Sequence, residues 1–193
     1  MKYCRKNKKK KFLVNNKKLP LCAFDICSTI VFLFVIVISI FTFVIRDVSI
    51  YGSSMNDTLK HDDKVMLTNF NYTPKANDIV AINAEDKIDK IIIKRVIATG
   101  GQTIKIDYET GDVIVDGVII EENYLSSPTR KVLDKEYWDI SYVVPEGYVF
   151  VLGDNRDVSL DSRSKQIKFV SEDDILGKAQ LIIFPFNRFS YLY

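Results

Sequence analysis

The stretch Tyr148–Arg163, "YVFVLGDNRDVSLDSR", joins a short apolar run to a densely charged one. Tyr148-Val149-Phe150-Val151-Leu152 is β-branched and aromatic, of strand length, and closed by Gly153-Asp154. That combination predicts a buried β-strand ending in a turn. The loop Gly153–Arg163 then packs three aspartates, an asparagine, two arginines and two serines into eleven residues. It reads either as a solvated loop or as one whose charges pair and brace it. A braced loop beside a buried strand could hold a hydroxyl in a fixed place.

Outward from this stretch the same pattern recurs. "DIVAINA", "KIIIKRVIAT", "TIKIDYE", "GDVIVDGVII" and "AQLIIFPF" are short runs of β-branched or aromatic residues, and Thr103–Asp107 alternates strictly. Glu109-Thr110-Gly111, Asp116-Gly117 and Pro145-Glu146-Gly147 are turn signals between them. Helical periodicity is scarce, although Glu172–Leu176 has the character of a single helical turn. The predicted fold class is mostly β, an antiparallel sheet or barrel-like assembly. The C-terminal "LIIFPFNRFSYLY" reads as a closing core strand, with contact to a lipid interface as the other reading.

Charge divides the chain. Of its 27 basic and 25 acidic residues, nine basic ones and a single acid, Asp25, fall within residues 1–25, so the remainder carries about −6. Between the two lies "ICSTIVFLFVIVISIFTFVI", Ile26–Ile45, with no charge. About twenty residues at about 1.5 Å each span a hydrocarbon core of about 30 Å. Arg46-Asp47 follows directly and no small-x-small cleavage triplet appears, which argues against a removed leader. The expected organisation is a basic cytoplasmic tail at 1–25, a transmembrane anchor at 26–45 and an extracytoplasmic β domain at 46–193, oriented by the positive-inside rule. The lysine run then serves topology and the lipid surface, not nucleic acid. Cys4, Cys22 and Cys27 precede the outer domain, which therefore has no disulfide, and the single histidine, His61, excludes a Cys/His zinc cluster.

Two serines stand just beyond the apolar run, in "YGSSMNDTL", Tyr51–Leu59. A nucleophilic serine needs a base. His61 sits between Lys60 and Asp62-Asp63 and reads as solvated. Lys94, in "IIIKRV", is framed by isoleucines and valine. If it faces inward, burial disfavours its charged form and makes it a competent proton acceptor. If the strand alternates the other way, Lys94 faces water, with Ile93 and Arg95 inside.

Taken in order, "GSSMNDTL", "DDKVML", "DIVAI", "KRVIATGGQTI", "VPEGYVFVLGDNRDVSLDSR" and "DDILGKA" resemble the bacterial type I signal peptidases, the serine–lysine membrane proteases that remove signal peptides from exported proteins. The resemblance covers about residues 26–187 and is closest to the Gram-positive type. It implies the family's mostly antiparallel β catalytic core, with Ser54 as nucleophile and Lys94 as general base. Ser159 matches the hydroxyl residue that orients the lysine. Arg95, Asp154, Arg156, Asp161 and Arg163 match supporting charges, and the backbone N–H of Ser54 matches part of the oxyanion hole. Ile50, Met55, Leu59 and Ile93 match pocket walls for small side chains at the first and third positions before the cut, or are ordinary core.

The resemblance implies no cofactor, metal or nucleotide. It implies preproteins bearing signal peptides as partners, beside membrane lipid and the secretion translocon, and a monomeric enzyme. Alternatives are a dedicated peptidase for a few precursors such as pilins, and a catalytically silent, chaperone-like paralogue in surface-protein assembly. The chain departs from the family pattern at Gly52, where some members carry a serine donor. It departs also at Asp57, where proline is usual, at Asp62, where glycine is common, and in the link Ser164–Lys168.

Overall fold

The computed structural model describes residues 18–43, 45–56, 58–125, 129 and 141–192. Asp57 and the basic run up to Lys17 lie outside the described residues. The chain divides into two compact units, Met1–Phe41 and Thr42–Tyr193.

The first unit holds most of α1, Lys18–Phe43. It begins within the expected basic tail, eight residues before the apolar run. Residues 23–39 of α1 are described with their side chains, and no helix among the described residues is long and apolar enough to cross a membrane. Ile45, assigned from sequence to the apolar span, instead opens a strand, because its backbone pairs with Thr68.

The second unit is built from antiparallel β-strands, as its runs of valine, isoleucine and aromatic residues predict. Its larger sheet comprises β1 (Ile45–Ser49), β2 (Lys64–Thr68), β3 (Ile79–Asn83), β4 (Ile91–Thr99), β9 (Tyr148–Leu152), β10 (Val170–Ser171), β11 (Ile175–Phe184) and β12 (Ser190–Tyr191). The order is β1-β2-β11-β3-β4-β9-β10, with β12 added beside β11. The late strand β11 thus inserts between two early ones. The smaller sheet has the order β7-β6-β5-β8, formed by β5 (Thr103–Ile106), β6 (Val113–Val115), β7 (Val118–Ile119) and β8 (Ser141–Val143). Asp116 and Gly117 both have positive φ, 52° and 79°, which gives the two-residue turn between β6 and β7 that the Asp-Gly pair predicts.

Three apolar clusters hold the domain. One gathers Ile50, Met55, Leu59, Val65, Ile79 and Ile93 under the segment that carries Ser54. A second joins Ile97, Phe150 and Leu152 to Ile104 and Val115, and so couples the two sheets. The third packs Val80, Ile82, Val96 and Val151 against Ile167 and Val170.

The single turn expected near Glu172 is a 3-10 turn, Glu172–Asp174, N-capped by Ser171. Two turns were not anticipated: α2, Glu85–Ile88, between β3 and β4, and the 3-10 turn Phe186–Arg188 between β11 and β12. Three or four residues are too few to carry helical periodicity. The C-terminal run is in part a core strand, since β11 is central in the sheet, while Phe184, Phe186, Phe189 and Tyr191 beyond or at its end are exposed.

Candidate active site

β4 decides the orientation of Lys94. Its residues Ile93–Ala98 are all buried, so the strand has no solvated face there and Lys94 is only 2 % exposed. Its Nζ lies 2.8 Å from Ser54 Oγ and donates to the carbonyl of Ile93 at 2.8 Å. The two residues are forty positions apart in sequence and meet because the Ser53–Asn56 turn packs Met55 and Leu59 into the core beside β4. A buried amine in contact with a hydroxyl is an arrangement able to pass a proton between them.

The charged loop after β9 closes over this pair. Asn155 N–H donates to the Ser54 carbonyl at 3.0 Å, and its side-chain amide donates to the Ser53 carbonyl at 3.1 Å. Ser159 is 1 % exposed and its N–H donates to Asn155 O. A Cβ added at Gly153 would collide with the Ser159 hydroxyl and come within 2.6 Å of the Ser54 carbonyl oxygen. Glycine is therefore what lets the two serine-bearing segments approach.

The loop is braced, not solvated, yet mostly by partners outside itself. Asp161 and Arg163 do pair within it, at 2.8 and 2.9 Å, both fully buried, and Asp161 also accepts the Gly153 N–H. Burial by itself would raise the Asp161 pKa. The Arg163 charge and hydrogen bonds from Arg163, Gly153 and Ser159 outweigh it and hold the carboxyl below its ordinary value. Asp154 pairs with Arg95 through two bonds of 2.9 and 2.7 Å and accepts the Thr58 hydroxyl. Arg156 donates to the Gly153 carbonyl and forms its ion pair with Glu122, with Thr129 as a further acceptor. Tyr124 lies under the Arg95 guanidinium, 3.9 Å from ring centroid to carbon; its burial, and next the Glu122 charge, push the phenol pKa up.

Sequence reasoning missed Thr58, Glu122, Tyr124 and Asn155 as members of this network. The signal for Glu122 was chemical: a buried arginine needs an acid, and "EENY" is an acidic and aromatic run close to a strand end. Nothing local, however, says which acid meets which arginine.

Beside the pair runs a groove of about 940 Å³, bordered by Val48, Ile50, Met55 and Ile91–Lys94. Ile50, Met55 and Ile93 stand in its wall, whereas Leu59 lies behind them, fully buried. β4 pairs with β3 along Ile91–Arg95, but β9 joins only from Arg95 onward. Among the described residues no strand covers the other edge of Ile91–Lys94, which leaves it available for a further strand. His61 is largely exposed, and its Nδ1 accepts the Gly52 N–H at 3.1 Å. Gly52 has φ 98° and open space at its Cβ position, so a side chain there has room but a strained backbone.

The family model "Signal peptidase, peptidase S26" matches residues 23–184. The chain is 32 % identical over 173 residues to signal peptidase IB of Staphylococcus aureus, covering 82 % of this chain and 87 % of that protein. It is 34 % identical over 172 residues to signal peptidase I U of Bacillus subtilis, covering 83 % and 90 %. A crystal structure of a signal peptidase I from Enterococcus faecalis is similar over 56 % of this chain and 98 % of its own, at 30 % identity and a TM-score of 0.44. The chain belongs to the signal peptidase family, peptidase S26. It is accordingly a hydrolase of the signal peptidase I kind.

Proposed function

We propose that this chain is a membrane-anchored serine endopeptidase that cuts signal peptides from exported preproteins after small-x-small sites, with Ser54 as nucleophile and Lys94 as general base. The observation that carries the reading is the 2.8 Å approach of Lys94 Nζ to Ser54 Oγ, with the lysine buried, in a member of this family. Burial disfavours the ammonium form. The neutral amine takes the Ser54 proton as Oγ attacks the scissile carbonyl, and returns it to the leaving amine. The acyl-enzyme is then hydrolysed by water that Lys94 deprotonates. Ser159, buried behind Gly153, orients the lysine.

The developing oxyanion accepts a hydrogen bond from the Ser54 N–H. Gly52 lacks a side-chain donor, and its own N–H is given to His61, so a second donor comes from elsewhere. The preprotein binds extended along the free edge Ile91–Ile93, adding a strand, with its small side chains against Ile50, Met55 and Ile93. Arg95, Asp154, Arg156, Asp161 and Arg163 keep the loop rigid.

The charge-free run Ile26–Ile45, which α1 follows as far as Phe43, supports an anchor with the basic tail in the cytoplasm and the β domain outside. Its apolar positions are consecutive from Ile30 to Ile38, so every face of the helix is apolar, as a lipid-embedded helix requires.

The test is cleavage of a fluorogenic Ala-x-Ala peptide by the full chain in detergent or lipid. Ser54→Ala and Lys94→Ala each lose at least about 10²-fold in kcat. His61→Ala stays within about tenfold, the worth of one exposed hydrogen bond. Undiminished turnover by Ser54→Ala would overturn the mechanism. No turnover by the unaltered chain, on this peptide or on a native precursor, would favour the silent paralogue.

A further inference from the structure

The link Ser164–Lys168, which departs from the family pattern, is a built element. Ile167 is 1 % exposed and sits in the cluster of Val80, Ile82 and Val96, against which Ile88 of α2 and Ile92 of β4 also pack. The N–H groups of Ile167 and Lys168 donate to Ser164 O, and that of Gln166 donates to Ser164 Oγ. Lys168 adopts φ 51°, which closes the turn. The carbonyls of Ile167 and Phe169 are then met by one side chain from 80 residues away, as Lys87 Nζ donates to them at 3.0 and 2.9 Å. Desolvation lowers the Lys87 pKa, against an opposing pull from Asp174, so this ammonium is not simply a solvated surface charge.

Lys87 belongs to α2, which is otherwise held by Ile88 against the same cluster and by the Asn83 side chain, which accepts the Glu85 N–H. The helix is one turn long, buries no residue and has no side-chain N-cap, and Asp89 at its end is left-handed with φ 53°. A single turn is not stable alone. Yet Glu85, Asp89 and Lys90 of this connection border the groove next to Ile91. An extended peptide advances about 3.3 Å per residue. With its cut site level with Lys94, its fourth residue before the cut lies opposite Ile91, and earlier residues lie against Lys90, Asp89 and α2.

We infer that the link Ser164–Lys168 is a back-plate for the far end of the substrate groove. Through Lys87 and Ile167 it sets how tightly this enzyme holds the substrate residues more than four positions before the cut. Lys87 is thus a positioning residue that governs the length of peptide recognised. The inference rests on the assignment of Ser54 and Lys94 above.

The experiment uses the full chain in detergent and two peptides with one Ala-x-Ala cut site, one beginning four residues before the cut and the other nine. Lys87→Met raises KM about three- to tenfold for the long peptide, as loss of two hydrogen bonds at a partly exposed site implies. It leaves kcat on both peptides and KM for the short one as they were, which also reports that the variant folds. Lys87→Arg, which can reach both carbonyls, stays close to the parent. An unchanged KM for the long peptide, or an equal rise for both peptides, overturns the inference. Turnover that survives Ser54→Ala overturns the dyad and this inference with it. A length-independent KM in an enzyme silenced by Ser54→Ala overturns the inference alone.

Discussion

Arg95 and Asp154 form a two-bond ion pair with their side chains 3 % and 0 % exposed, and it ties the strand that carries Lys94 to the loop that carries Ser159. Removing one partner strands a buried charge, which costs about 3–5 kcal/mol. Arg95→Ala is therefore expected to lower the midpoint of urea unfolding strongly. Arg95→Met together with Asp154→Leu is expected to recover much of the stability without recovering activity, because the bond to Thr58 goes with Asp154. Denaturant titration and peptide cleavage on the same preparations check both halves.

Gly153→Ala is expected to silence the enzyme while sparing the fold. The added methyl would collide with the Ser159 side chain and the Ser54 carbonyl, so both segments must move apart. A displacement of about 1 Å at a reacting group costs about 10²-fold in rate. Turnover of the variant within a few-fold of the parent would show that the contact between these segments is unimportant.

Asp161 sets an acid limit. Its folded pKa is depressed, so its contribution to stability is fully present above the unfolded value of about 3.9 and is lost as pH falls through the still lower folded value. The melting temperature is expected to drop below about pH 4. Asp161→Asn is expected to be less stable at neutral pH and to show a shallower decline there. Parallel slopes for the two proteins between pH 5 and pH 2 would remove Asp161 from the explanation.

Arg188, in the turn between β11 and β12, anchors the other end of the serine segment. It donates to Asp63 through Nε and Nη2, at 3.0 and 2.9 Å, and to the Thr58 carbonyl at 3.3 Å. Asp63 also accepts the Lys60 N–H, so one carboxylate closes the Leu59–Asp63 turn and binds the C-terminal segment. Arg188→Ala is expected to lower kcat more than it alters KM, and added guanidinium is expected to restore part of the rate, since Arg188 is partly exposed. A KM effect without a kcat effect would place Arg188 outside the positioning of Ser54.

Local chemistry carried much of this protein in readable form. The β-branched runs at Ile79–Asn83, Ile91–Thr99 and Tyr148–Leu152 became strands because side-chain shape and alternation act within a few residues. Asp116-Gly117 became a tight turn for the same reason. Ser54, Lys94 and the loop Gly153–Arg163 could be singled out because each carries its own short pattern.

The remainder depends on partners far apart in the chain. Whether Lys94 faces water or the interior was open in a run of isoleucines, and the cover supplied by neighbouring elements on both faces of β4 decided it. The loop charges could be read as solvated or as mutual partners. Asp161 and Arg163 are mutual partners, but the fold brings Arg95 to Asp154 and Glu122 to Arg156. The insertion of β11 between β2 and β3, and the reach of Lys87 to the link at Ile167, have no local signature either. Propensity and turn chemistry are properties of neighbouring residues, so the sequence by itself determined most of the elements and the candidate groups. Burial, strand order and ion pairing are properties of the closed fold, so only the tertiary structure decided which of those groups meet.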